Sequence, residues 1–338
     1  LPGDIPLKFL VLMLTSRCNL HCSYCYAGAG PKGQDMSLQT ALEALERFAP
    51  PEGKLTVELA GGEPLLAFDL VQEIIARTSQ NQRVRFALQT NGLLLDEKKA
   101  LFLAQSGVGM GLSLDGIPEI NNLNRSAGIE TVKALNLLSD LNLGTNLTVV
   151  LTRDNIEHLP KFVLFCANQP CIRVINFDLI RPLGRARDKD LVPESKQVTG
   201  MIPRLLEALA FVNGRRFPPL KIREVDQVRR RKNQKHLRPY CYAAQGLAAA
   251  VTPEGQIYSC ASLAGQEEFY AGTVQEPRPD DLKAMASKCR LPEACADCPA
   301  VSFCRGGCPS RRVAFSGRCD QRSDLDCLLH TELFRRLT

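Results

Sequence analysis

Three cysteines crowd one short stretch near the start of the chain, Cys18-Asn-Leu-His-Cys22-Ser-Tyr-Cys25, a C-x3-C-x2-C spacing. Thiolates so placed can share one metal centre. Three is one short of a closed site, so the spacing fits either zinc completed by water or a 4Fe-4S cluster with one iron left open for another ligand. A second set lies at the far end: Cys241 and Cys260 flanking Gly255, then Cys295, Cys298, Cys304 and Cys308 spaced C-x2-C-x5-C-x3-C, then Cys327. Of 14 cysteines, only Cys166 and Cys171 fall between the two sets. No charged-then-apolar leader opens the sequence, so clustered thiols point to metal or to thiol chemistry rather than to disulfides.

The elements that must position these thiols read as repeated βα units. Short β-rich runs at residues 7–14, 55–60, 84–89, 108–114, 146–151 and 172–179 alternate with helical periods, such as 37–48 with Ser37 as N-cap and 68–78. Six such units make a partial barrel, and in barrels the loops after the strands gather at one face and carry the chemistry. Cys18 follows the first predicted strand. Gly61-Gly62-Glu63-Pro64 follows the second, Thr90-Asn91-Gly92 the third and Ser113-Leu114-Asp115-Gly116 the fourth, with Arg125 shortly beyond. Taken singly, Asn91-Gly92 and Asp115-Gly116 are ordinary turn pairs.

The cysteine loop resembles that of the radical S-adenosylmethionine (radical SAM) enzymes, and GGEP at residues 61–64 matches that family's motif. The resemblance implies a catalytic cluster on Cys18, Cys22 and Cys25 whose open iron is chelated by the amino and carboxylate groups of S-adenosylmethionine, which is cleaved to methionine and a 5′-deoxyadenosyl radical. It implies cofactor contacts from Tyr24 near the adenine, from Gly61, Gly62 and Glu63 to the methionine ammonium, and from Ser113 and Arg125 to the methionine carboxylate. Asn91 is a further candidate contact. Glycine allows close backbone approach, and a carboxylate pairs with an ammonium through charge-assisted hydrogen bonds. Arg181-Pro182-Leu183-Gly184-Arg185 also resembles the family, with no specific contact assigned.

The seven distal cysteines are similar to the SPASM extension of peptide-modifying radical enzymes, which carries two auxiliary 4Fe-4S clusters. A zinc ribbon explains a pair of CxxC-like spacings but not seven agreeing positions. By resemblance, Cys241, Cys260 and Cys308 hold the first auxiliary cluster and Cys295, Cys298, Cys304 and Cys327 the second. The expected fold is therefore α/β: a partial (β/α)6 barrel over residues 1–185, a bridge over 186–238 and a small cysteine-rich SPASM domain over 239–338. The expected cofactors are three 4Fe-4S clusters and S-adenosylmethionine. Sulfatase maturases supply an eighth cysteine shortly before the first. Residues 235–240 here hold none, which leaves either His236 as a substitute ligand or an iron open to substrate. Ten cysteines are thus used. Cys166 and Cys171 read as buried small hydrophobes; Cys319 rivals Cys327 as a ligand, and Cys289 or Cys319 could donate a hydrogen atom.

Sulfatase maturases place an aspartate proposed as the base directly after the cysteine equivalent to Cys260, where this chain has Ala261. The segment 250–269 resembles instead maturases that form cysteine thioethers in ribosomal peptides. That resemblance implies an oxidoreductase that crosslinks a cysteine-containing precursor peptide. A peptide thiolate would bind the open auxiliary iron, the deoxyadenosyl radical would take a hydrogen from an acceptor carbon, and carbon–sulfur bond formation would send an electron into the auxiliary clusters. An external one-electron reductant is required. Carbon–carbon crosslinking, epimerisation and sulfatase maturation stay as alternatives, and a zinc-bearing binding module is the non-enzymatic one. With the first strand near residue 7, leader recognition is expected from a separate protein, from a removed segment or from the bridge; numbering from Leu1 leaves an earlier start open.

Bulk composition narrows the choice of partner. Net charge is only +6, from 42 basic and 36 acidic residues, and there is no tryptophan to stack bases, so nucleic acid is not an expected partner. The dense basic run, Arg229 to Lys232, reads as a solvated helix face, with an acidic-peptide dock as the sharper alternative. The longest apolar stretch, residues 9–14, is far too short to span a bilayer. No membrane partner and a cytoplasmic location are expected.

Overall fold

The computed structural model describes residues 6–231 and 239–338. Six parallel strands form the N-terminal body: β1 (Phe9–Met13), β2 (Leu55–Ala60), β3 (Val84–Thr90), β4 (Gly109–Ser113), β5 (Thr145–Leu151) and β6 (Ile172–Leu179). Helices Leu38–Phe48, Phe68–Thr78, Glu97–Gln105, Gly128–Asp140 and Leu159–Ala167 return the chain between them. Ser37 caps the first of these, its hydroxyl oxygen accepting from the Thr40 N–H at 3.0 Å.

Side-chain alternation along the strands sorts the two faces. In β2, Leu55, Val57 and Leu59 are fully buried under the helices, while Thr56, Glu58 and Ala60 face the other way and are only part-buried. The buried rows meet across the sheet in register, Leu12 beside Leu59, Leu59 beside Leu88 and Leu88 beside Met110.

The sheet does not end with six strands. Its order is β10-β9-β8-β1-β2-β3-β4-β5-β6-β7. Here β7 (Lys221–Ile222) comes from the bridge and adds parallel to β6, while β8 (Ala248–Val251) comes from the cysteine-rich region and adds parallel to β1. The hairpin partners β9 (Gln256–Tyr258) and β10 (Tyr270–Thr273) follow antiparallel. The C-terminal helix Asp324–Leu337 packs on the helices Ser195–Asn213 and Arg223–Arg231 of the bridge. The cysteine-rich region is thus continuous with the barrel sheet on one side and bound to the bridge on the other.

Two cysteines depart from expectation. Cys289 and Cys319 form a disulfide, with a Cα–Cα distance of 4.8 Å. The end of helix Pro279–Lys288 and the loop after helix Pro309–Ser316 converge in a small apolar cluster with Leu263, Phe269, Met285 and Val313, and that packing brings the two sulfurs together. Cys319 is therefore not a rival of Cys327, and neither sulfur is a free thiol. The disulfide closes the stretch that carries Cys295, Cys298, Cys304 and Cys308. Cys166 and Cys171 are buried, as expected of small apolar fillers. Among the described residues, no helix is long and apolar enough to cross a membrane.

Leu12 lies between Leu59 on β2 and Val251 on β8, and all three are fully buried. Leu12→Ala is expected to cost about 2–5 kcal/mol, read as a lowered thermal unfolding midpoint with a loss of protection from proteolysis in both the barrel and residues 239–338.

Candidate active site

The strand ends gather the motifs at one cleft of about 290 Å³, lined by Cys18, Cys22, Cys25, Gly61, Gly62, Glu63, Asn91, Ser113 and Arg125. The cysteine loop is held by its backbone. Cys18 N–H donates to the Gly30 carbonyl at 2.6 Å and Ser23 N–H to the Asn124 carbonyl at 2.8 Å. Arg185, to which the sequence assigned no contact, clamps the loop from β6: its Nε donates to the Cys22 carbonyl at 2.9 Å and its Nη1 to the Ala29 carbonyl at 2.8 Å. The three thiols lie within electrostatic reach of one another, and burial pushes the pKa of Cys18 and of Cys22 up.

Gly61 and Gly62 serve the loop directly. Gly61 has φ +141°, and a Cβ there would run into the Thr15 carbonyl, as one on Gly62 would run into that of Arg17. The close approach lets Gly62 N–H donate to Thr15 at 2.7 Å and Glu63 N–H to Arg17 at 2.9 Å, which fastens the end of β2 to the entry of the cysteine loop. The buried Glu63 carboxylate accepts from the Thr90 hydroxyl at 2.6 Å, from Asn91 N–H at 2.8 Å and from Leu65 N–H at 3.0 Å. Burial, the largest influence, raises its pKa against those three bonds. The Asn91 amide donates to Asn19 at 2.7 Å, so the third strand end is tied to the cysteine loop as well.

Tyr24, Arg125 and Asp115 form one buried unit. The Tyr24 hydroxyl donates to Asp115 and accepts from Arg125 Nη1, the latter at 2.9 Å. Burial opposes the guanidinium charge, but Tyr24, Asp115 and Cys22 hold Arg125 in its charged form. The polar end of Tyr24 is therefore committed to this unit, and only its ring remains for contact with a bound group. Ser113 accepts from Gln89 Nε2 at 2.8 Å on the cleft wall. Spacing along the sequence did not single out Asp115 as a partner, Gln89, Glu58 or Asp178; the alternation of residues on β2, β3 and β6 was the available signal. Glu58 is the cleft carboxylate that has no hydrogen-bond partner among the described residues, and burial pushes its pKa up.

The distal cysteines divide into two neighbourhoods. Cys241, Cys260 and Cys308 lie within electrostatic reach of one another. Cys295, Cys298, Cys304 and Cys327 form a second such group. The first neighbourhood adjoins the cleft, because Tyr26 on the cleft wall lies within electrostatic reach of both Cys25 and Cys260. His236, a candidate fourth ligand, lies outside the described residues, as does Lys232 of the basic run.

No three metal-binding side chains among the described residues close around a single ion. A four-iron cluster holds its thiolates farther apart, each on a different iron. The residues fit such anionic groups. Arg312 is a fully buried arginine within reach of Cys295, Cys304 and Cys308, and its Nε, like that of Arg311, has no hydrogen-bond partner. Buried donors left unpaired in the protein call for an acceptor, which the sulfur of a bound cluster would supply.

Residues 12–166 match the family model of the radical SAM superfamily. An uncharacterized protein of Methanocaldococcus jannaschii is 30% identical over 268 residues, 77% of this chain and 86% of that protein. The chain belongs to the radical SAM superfamily. It is an enzyme of that family, which implies S-adenosylmethionine and a 4Fe-4S cluster as cofactors. This radical SAM enzyme is 25% identical to the cysteine-type anaerobic sulfatase-maturating enzyme of Clostridium perfringens strain 13, over 90% of this chain and 89% of that one. It is 26% identical to the mycofactocin maturase of Mycolicibacterium smegmatis, over 93% and 81%. Its fold is that of native anSMEcpe with bound AdoMet (TM-score 0.79, 23% identity, 98% and 96% covered) and of Streptococcus suis SuiB bound to the precursor peptide SuiA (0.70, 16%, 95% and 76%).

Arg125→Met removes the donor to the Tyr24 hydroxyl and, through it, the cation that offsets the buried Asp115 carboxylate, at a cost of about 1–3 kcal/mol. Denaturant titration of the single variant is expected to read that loss, and Asp115→Asn in the same background is expected to recover part of it.

Proposed function

We propose that this enzyme is a peptide maturase that installs a cysteine thioether crosslink in a ribosomally made precursor peptide. The observation that carries the reading is the three-thiol neighbourhood of Cys241, Cys260 and Cys308 beside the cleft, one cysteine short of a closed cluster among the described residues and near the same wall as Cys25. Residues 1–185 act as the cofactor-cleaving barrel, 186–238 as the bridge and 239–338 as a SPASM domain with two auxiliary 4Fe-4S clusters. The mycofactocin maturase and the precursor-bound neighbour SuiB support a peptide as the substrate class.

Cys18, Cys22 and Cys25 hold the first cluster. Glu63, with the backbone at Gly61 and Gly62, takes the methionine ammonium; Ser113 and Arg125 take its carboxylate; the Tyr24 ring lies toward the adenine, and Asn91 braces the site. Bound there, S-adenosylmethionine would supply the 5′-deoxyadenosyl radical. Glu58 offers the peptide a hydrogen-bond acceptor at the cleft wall. Per crosslink the peptide loses two hydrogens. The partners are the cysteine-containing peptide, an external one-electron reductant and, where the bridge does not read the leader, a separate leader-recognition protein; nucleic acid and membrane have no part, and the reaction belongs to the cytoplasm.

A second reading is favoured by one observation, the 25% identity to a sulfatase-maturating enzyme over nine-tenths of this chain. Ala261 after Cys260, and no cysteine in residues 235–240, weigh against it.

Anaerobic incubation of reconstituted enzyme with S-adenosylmethionine, reductant and a cysteine-rich peptide encoded beside its gene is expected to give a peptide lighter by two hydrogens per crosslink, with the modified cysteine resistant to alkylation. Loss of the cysteine sulfur with gain of an aldehyde would support the sulfatase-type reaction instead. Deoxyadenosine formed while every cysteine still alkylates would overturn the thioether in favour of carbon–carbon crosslinking or epimerisation. Cys241→Ala and Cys260→Ala are expected to abolish crosslinking while deoxyadenosine formation persists.

A further inference from the structure

Arg181 stands where the cleft meets the distal cysteines. It lines the cleft beside Tyr26, with its guanidinium 6.0 Å from the Tyr26 ring, and is itself buried. Its three nitrogens reach in three directions: Nη1 donates to Asp178 at 2.8 Å, Nε to the Ser310 hydroxyl at 3.1 Å, and Nη2 lies 3.9 Å from Cys308 Sγ. Ser310 Oγ is in turn 3.2 Å from the same sulfur. Arg311 approaches from the other side, 3.4 Å from Asp178 and paired with Asp326, whose carboxylate accepts from Cys308 N–H at 3.0 Å. Two guanidiniums and two carboxylates therefore surround one thiol, balanced in charge among themselves.

We propose that Arg181, with Asp178 as its counter-charge, is a positioning residue that sets the reduction potential of the auxiliary cluster held by Cys241, Cys260 and Cys308. The inference rests on the reading of those three cysteines as cluster ligands. An arginine cannot shed its charge in a protein, so it acts as a fixed cation at the cluster edge in both oxidation states. Cluster potentials depend on nearby net charge and on hydrogen bonds to the sulfurs, and Arg181 supplies both at Cys308. Low dielectric around the buried group lengthens the reach of each charge. Adding an electron makes the cluster more negative, so a neighbouring cation favours the reduced state and a neighbouring carboxylate disfavours it. Removing Arg181 leaves the ring one charge more negative, and removing the Asp178 charge leaves it one more positive. A merely structural role predicts no such opposition of sign.

The test is an EPR-monitored redox titration of the full-length reconstituted enzyme, following the cluster signal that Cys308→Ala removes. The midpoint is expected to shift to lower potential in Arg181→Gln, to stay near wild type in Arg181→Lys and to shift to higher potential in Asp178→Asn. Unchanged midpoints, or shifts of one sign in Arg181→Gln and Asp178→Asn, would overturn the inference while leaving the ligand assignment intact. If Arg181→Gln fails to take up iron, Asp178→Asn alone decides, and an unchanged or lowered midpoint there overturns it. Should no signal depend on Cys308, the ligand reading falls first and the inference falls with it.

Discussion

Parallel pairing of β1 on both its edges is the constraint on which the rest of the molecule depends. On one edge β1 takes β2, and the GGEP turn then arrives beside the cysteine loop. On the other edge it takes β8, and β9, running back antiparallel, brings Cys260 level with the start of β1. Two thiol sets more than two hundred residues apart in sequence share one sheet because one short buried strand, FLVLM, leads into the first set and pairs with β8, which leads toward the second. Side chains small enough to permit that closeness recur where it matters. The β8 run is Ala248-Ala249-Ala250-Val251, and Gly61 and Gly62 touch the backbone of the loop at residues 15–17.

Burying charge beside these thiols carries a desolvation penalty, and the fold offsets it by pairing. Arg125 has Asp115 and Tyr24; Arg181 and Arg311 share Asp178; Asp326 answers Arg311 and the Cys308 N–H. Such pairs contribute little to net stability and much to geometry, since removing one partner strands the other. At Cys308 the arrangement turns the Arg181 guanidinium and the Ser310 hydroxyl toward the sulfur. Arg311 and Arg312 each keep one buried Nε without a hydrogen-bond partner in the protein.

How much of the molecule was legible in the amino-acid sequence differs from element to element. All six barrel strands and the helices Leu38–Phe48 and Phe68–Thr78 were readable, because buried parallel strands leave compact apolar runs and amphipathic helices leave a 3.6 period. The motifs at strand ends were readable because residue types such as Cys, Gly and Glu at fixed offsets are rare by chance. Continuation of the sheet through β7 and β8 was not, since β7 has two residues and an alanine run has no strand signature. The Cys289–Cys319 disulfide was hidden for a related reason: it depends on two chain segments converging, which no local spacing records. Nor could spacing reveal what Arg181 and Arg185 touch. Their motif came after the sixth strand as expected, but Arg185 clamps carbonyls of the cysteine loop and Arg181 bridges to Cys308.

The central claim is that two separated thiol sets build three iron–sulfur centres, one in the cleft and one beside it. Iron and acid-labile sulfide analysis of the anaerobically reconstituted enzyme, with its visible and Mössbauer spectra, tests it most directly. The account predicts about twelve irons and as many sulfides per chain, three clusters of four, all of them of the 4Fe-4S type, falling by about four when Cys18, Cys22 and Cys25 are replaced by alanine. A colourless protein holding zinc, or a content of about four irons that vanishes entirely in the same triple variant, would contradict it.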